Sequence, residues 1–179
     1  MSLFLATLLP GLFLLVLGAP LALGLPGPAS SLKAFPRSVF AAYVVFGGAS
    51  AWFLYNILHL STADFGDYKT WLFIGFAIIA VLAFRSVPDF LSVRGACGLV
   101  LLAASPLLEA AYMEYEHPQR LFMVTPLYVA IALAIWLGAQ PWRLRDFLEW
   151  LFVHPGRARA AGGVLAAYGL LLCGVAFTY

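Results

Sequence analysis

Five stretches of this chain stay apolar for about 20 residues at a time, the length of helix that crosses a hydrocarbon layer of about 30 Å. They cover 3–25, 38–60, 95–115, 121–140 and 160–179. A chain built this way has few options, because a backbone without water must close its own hydrogen bonds, and a continuous helix does so within one segment. A sixth stretch, 70–84, is short between Lys69 and Arg85. Extended to 68–87 it spans the same layer, since both long side chains carry their charged ends back to the interface. Charged residues make up 10% of the sequence and hydrophobic ones 64%, which leaves too little polar material to cover a soluble globule, where about a quarter of residues are charged. The expected fold class is all-α: a polytopic membrane protein, with about six transmembrane helices bundled into one domain over 1–179.

The basic residues give an independent test. With six spans, the first, third and fifth connections hold Lys33, Arg37, Arg85, Arg94, Arg143, Arg145, Arg157 and Arg159, eight of the ten. Lys69 and Arg120 fall one each in the remaining connections. Positive residues near span ends are retained in the cytoplasm, so these three connections are expected inside and both termini outside, in an inner cell membrane. Dropping the third span would scramble the alternation. Asp64, Asp67, Glu109, Glu114 and Glu116 then lie outside, and Asp89, Asp146 and Glu149 inside. Arg85, Arg94, Arg143, Arg145, Arg157 and Arg159 are read as topology signals and lipid-headgroup contacts. Arg94 stands at a helix N-terminus, where a cation is unfavourable without a partner; Asp89 or a lipid phosphate is the expected one. No charge precedes Lys33, so a positive n-region is missing and the first helix is expected to stay attached.

The fifth connection carries its own element, 142–153. Leu144, Phe147, Leu148, Leu151 and Phe152 recur at helical spacing opposite Arg145, Asp146 and Glu149, with Trp142 and Trp150 as headgroup anchors. This is the pattern of an amphipathic helix on the inner membrane surface, punctuated by Pro141 and by Pro155-Gly156. A cytoplasmic extension of the fifth span is the alternative. Asp89-Phe90-Leu91 and Asp146-Phe147-Leu148 match each other before two outward-going spans, a trace of repetition that biased composition explains as well.

Small residues line one face of the last span at Gly162, Ala166, Gly169 and Cys173, and Gly47 with Ala51 repeats the spacing in the second. Lipid provides no hydrophobic drive for helix association, so such faces serve close packing within the bundle or against another copy. Cys97 and Cys173 sit near opposite ends of two spans running the same way, so they are read as packing residues and not as a disulfide.

Polar side chains converge only in the outer half. Trp52, Tyr55, Asn56 and His59 share a face of the second span, and Ser105, Glu109, Tyr112 and Glu116 share one of the fourth, where Pro106 frees a carbonyl. One reading makes Glu109 and His59 a proton-linked or cation-binding pair, with Asn56, Tyr55, Tyr112 and Ser105 orienting a ligand. The other makes them interface residues that reach water. Retinal attachment needs a lysine within a span, whereas Lys33 and Lys69 stand at connections or span ends; for membrane haem only the outer pair His59 and His117 shares a depth, with His154 on the inner side; and HExxH, GxxxxGK[ST] and GxSxG are all missing. No catalytic residue, cofactor, metal or nucleic-acid partner is expected. The leading expectation is a non-catalytic membrane subunit or scaffold, with the lipid bilayer and other membrane subunits, or itself, as partners. A small transporter or channel is the alternative, and an intramembrane enzyme the third.

Overall fold

The computed structural model describes residues 1–61, 65 and 67–179; Asp64 of the outer acidic group lies outside them. It is all-helical, with no strand among the described residues. Helix α1 spans Leu3–Ala22, begun by Ser2, whose hydroxyl accepts from the Leu5 N–H at 3.4 Å. A short α2, Pro26–Ala34, follows in the first connection and leads through a 3₁₀ turn, Phe35–Arg37, into α3, Val39–Leu58. The Ser38 hydroxyl caps α3 by accepting from Ala41 N–H at 3.1 Å, and its second turn, Ala42–Phe46, is π-helical. Then come α4, Lys69–Ser86; α5, Leu91–Ala111; a 3₁₀ turn, Pro118–Arg120; α6, Leu121–Ala139; α7, Trp142–Val153; and α8, Pro155–Ala176. Helices α1, α3, α4, α5, α8 and α6 with its leading turn are long and apolar enough to cross a membrane, which marks a multi-pass membrane protein.

Two helices start earlier than the apolar runs suggest. The Leu91 N–H donates to Pro88, and those of Val93 and Arg94 to the Phe90 carbonyl, so α5 is nucleated before Gly95 and holds Arg94 in its first turn. Phe90 itself takes φ 58°, an uncommon conformation for a bulky residue. At the other end α8 begins on Pro155, which needs no N–H partner in a first turn, and so includes Arg157 and Arg159.

The chain divides into two compact units. The first comprises Met1–Lys33, Ala103–Leu133 and Arg145–Tyr179. Its centre is α1 packed on α8 through glycines: Gly11 meets Gly169 and Cys173, and Gly18 meets Gly162 and Ala166. A Cβ built on Gly18 would stand 2.5 Å from the Ala166 nitrogen, so two backbones touch with no side chain between them. Leu3, Ala6, Ala110, Ala111, Met123 and Leu172 complete a buried cluster beside this crossing. The Tyr168 hydroxyl donates to the Phe122 carbonyl at 2.7 Å, and the Arg120 guanidinium to the Ala111 carbonyl at 2.8 Å, using a C-terminal acceptor that α5 leaves unpaired.

The second unit comprises Ala34–Leu102 and Ala134–Leu144. Aromatic rings join α3 to α4: Tyr43 stacks on Phe84 at 4.8 Å, and Phe53 meets Phe76 edge-on at 5.0 Å. Gly95 of α5 lies against the backbone of Phe46, where a Cβ would be 2.5 Å from its Cα. Val93, Cys97 and Ala134 form the buried cluster, and Ser92, 1% exposed, donates to the Phe35 carbonyl at 2.7 Å. Ser92→Ala would strand that carbonyl, and chemical denaturation is expected to read a loss of about 1–3 kcal/mol. A change below about 0.5 kcal/mol, the usual scatter of surface substitutions, would show that the bond contributes little.

Candidate functional site

The six polar residues expected in the outer half divide between the units. Ser105, Glu109 and Tyr112 belong to the first, and Tyr55, Asn56 and His59 to the second. All six are exposed. Within α5, the Ser105 hydroxyl donates to Glu109 Oε1 at 2.9 Å, one turn apart. At the end of α3, His59 Nδ1 lies 2.8 Å from the Tyr55 carbonyl, with the two rings 4.1 Å apart. A carbonyl only accepts, so Nδ1 carries the proton and Nε2 is the nitrogen left to face solvent or a ligand. Each group thus has a partner one turn away on its own helix. No group of three or more His, Cys, Asp or Glu among the described residues is arranged to hold a metal ion.

The basic residues are held in a consistent way. Arg143 donates to Gln140 at 2.9 Å and lies over Trp136, and Arg157 donates to the Trp150 carbonyl at 3.2 Å and lies 4.6 Å above its ring. Lys33 sits 5.5 Å over Phe152. Arg145 pairs with Asp146 at 2.7 Å and with Glu149 at 3.8 Å; the Asp146 hydrogen bond, and then its charge, hold the guanidinium above its ordinary pKa. Aromatic faces and carbonyls thereby spread the positive charge across α7, whose Leu148 and Leu151 are buried while Phe147 and Trp150 are exposed. Arg85 and Arg159 are exposed.

Arg94 differs. Its side chain is half-buried, and no hydrogen bond, ion pair or ring contact reaches it among the described residues. Asp89 is exposed and pairs with nothing among them. Arg94 instead lines a cavity of about 420 Å³ within the second unit, within the roughly 300–1,000 Å³ range of small-ligand sites. Phe46, Phe53 and Leu54 of α3, Phe76 and Ile79 of α4, and Leu101 of α5 supply apolar walls, and Ser50 is the other polar lining residue. Sequence reasoning placed Arg94 at a helix end and missed this cavity. The signal was faint: α3 and α4 bear small residues, Ala49, Ser50 and Ala80, between large aromatics at helical spacing.

The small-residue positions also divide. Gly162, Ala166 and Gly169 lie at the α1–α8 crossing, whereas a Cβ on Gly47 or Gly48 meets nothing within 4 Å, and Ala51 is exposed. Compared with protein-family models, curated proteins and solved structures, the chain matches none.

Proposed function

We propose that this chain is a non-catalytic subunit of a larger membrane assembly, seated with both termini on the non-cytoplasmic side and with α7 on the inner surface. The observation that carries this is an exposed face on α3 whose middle is made of small residues. Val44, Gly48, Ala51 and Tyr55 follow at spacings of four, three and four residues, all exposed, and the open space over Gly47 and Gly48 widens that face. Small residues let two backbones approach, which is how helices associate where lipid competes equally for apolar surface. The contrast with α4 supports the choice of face. Trp71, Ile74, Ile78 and Val81 make its exposed stripe of large side chains, suited to acyl chains.

The eight basic residues in or beside the odd connections support this orientation. The pairing of Ser105 with Glu109, and of His59 with its own helix, lends less support to a transport pocket there.

Native mass spectrometry after gentle extraction from the host membrane tests the proposal. A stoichiometric partner chain is expected, either another membrane protein or a second copy. Gly48→Trp, which adds bulk only where the chain itself has none, is expected to lower partner recovery at least tenfold while thermal stability holds. Monomeric protein from gently solubilised host membranes would overturn the reading.

A further inference from the structure

We propose that the groove between α3, α4 and α5 binds an anionic phospholipid, with an acyl chain among the aromatic walls and its phosphate on Arg94. Three observations converge on that ligand. The lining is hydrocarbon-like apart from Ser50 and Arg94, so the groove suits an apolar chain that ends in an anion. Neither α3 nor α4 has an acidic residue, and α5 has only Glu109, 15 positions beyond Arg94 and already bonded to Ser105. No carboxylate of these helices is therefore placed to neutralise the guanidinium. Size separates the occupants: a helix about 10 Å across that rises 5.4 Å per turn fills the cavity volume in roughly one turn. A partner helix does not seat there, while a flexible hydrocarbon chain does.

Arg94 also has the geometry for the task. A guanidinium presents paired N–H donors that match phosphate oxygens. Basic pockets between membrane helices on the cytoplasmic side recognise anionic headgroups in this way. The proposal relies on the chain lying in a membrane and not on the partner face of α3: Val44, Gly48, Ala51 and Tyr55 are not groove residues. Loss of one activity leaves the other measurable.

The test uses the full chain, delipidated in detergent, with phosphatidylglycerol or phosphatidylcholine of identical acyl chains added and bound lipid counted by native mass spectrometry. One phosphatidylglycerol is expected to be retained at least tenfold more strongly than phosphatidylcholine, and excess inorganic phosphate is expected not to displace it. Arg94→Gln should reduce phosphatidylglycerol to the phosphatidylcholine level, and Arg85→Gln should leave the preference intact. Ala80→Phe, which fills the groove from α4 and keeps Arg94, should remove both lipids; it decides the matter should Arg94→Gln fail to fold. Equal retention of the two lipids, displacement by phosphate, or full binding by Ala80→Phe would each overturn the proposal, as would a partner protein's carboxylate found on Arg94.

Discussion

Gly162→Leu is expected to destabilise the first unit strongly, while Gly163→Leu, one position along, leaves it unaffected. A side chain at Gly162 would enter the backbone of α1 at Ala22 and stand 2.6 Å from Leu21 Cβ. Overpacking costs about 1–3 kcal/mol where side chains can give way. Here the obstacle is main chain and two helices would have to separate, so a loss of about 3 kcal/mol or more is expected, a large share of the roughly 5–15 kcal/mol of an ordinary domain. Gly163 faces away, with nothing within 4 Å of its Cβ. Thermal unfolding of the two purified proteins makes the comparison, with elution as a single species as the second readout. Equal midpoints would mean that α1 and α8 do not cross where described.

The same logic gives the second large effect, at Gly95. A leucine there would strike the Phe46 backbone from 2.5 Å, at the point where α5 lies on the π-helical turn of α3. A loss of about 3 kcal/mol or more is again expected. Gly98, one turn later, is the control: its added Cβ would rest 3.5 Å from Ala49 Cβ, an ordinary contact, so Gly98→Ala should fall within about 0.5 kcal/mol of the parent. Limited proteolysis gives an independent readout, with cleavage in the connection between α4 and α5 expected to accelerate in Gly95→Leu alone. Two variants of matching stability would contradict the close approach.

Why some of this could be read from the residues and some could not follows from the kind of signal each feature leaves. Six long apolar helices are legible because length and composition alone define them, and the weak stretch before Arg85 is restored by letting two long side chains reach outward. The stripe Gly162, Ala166, Gly169 announces a close approach but not its partner. Gly11 and Gly18 supply the other half from a run where leucines dominate, and which two glycine faces meet is a tertiary fact. Helix starts at Leu91 and Pro155 were hidden because charge density suggests connection, while hydrogen bonds from Leu91, Val93 and Arg94 close the first turn of α5 beneath Arg94 itself. The polar residues around Glu109 and His59 share helical faces on paper, yet a shared face does not exclude partners on the same helix. Ser105 and the Tyr55 carbonyl are those partners, and neither pairing has a motif.

The π-helical turn at Ala42–Phe46 has no signature in the residues either, and it sets where α3 tolerates a change of length. Such a turn holds one residue more than a regular one. Deleting a single residue within it would let α3 continue as an ordinary helix with Val39–Ala41 and everything beyond Gly47 on nearly the same faces, because the wider turn holds its extra residue within one circuit of the axis. A one-residue deletion in this turn would thus be taken up locally, whereas one in the regular helix beyond Gly47 would turn the two parts of α3 against each other by about 100°.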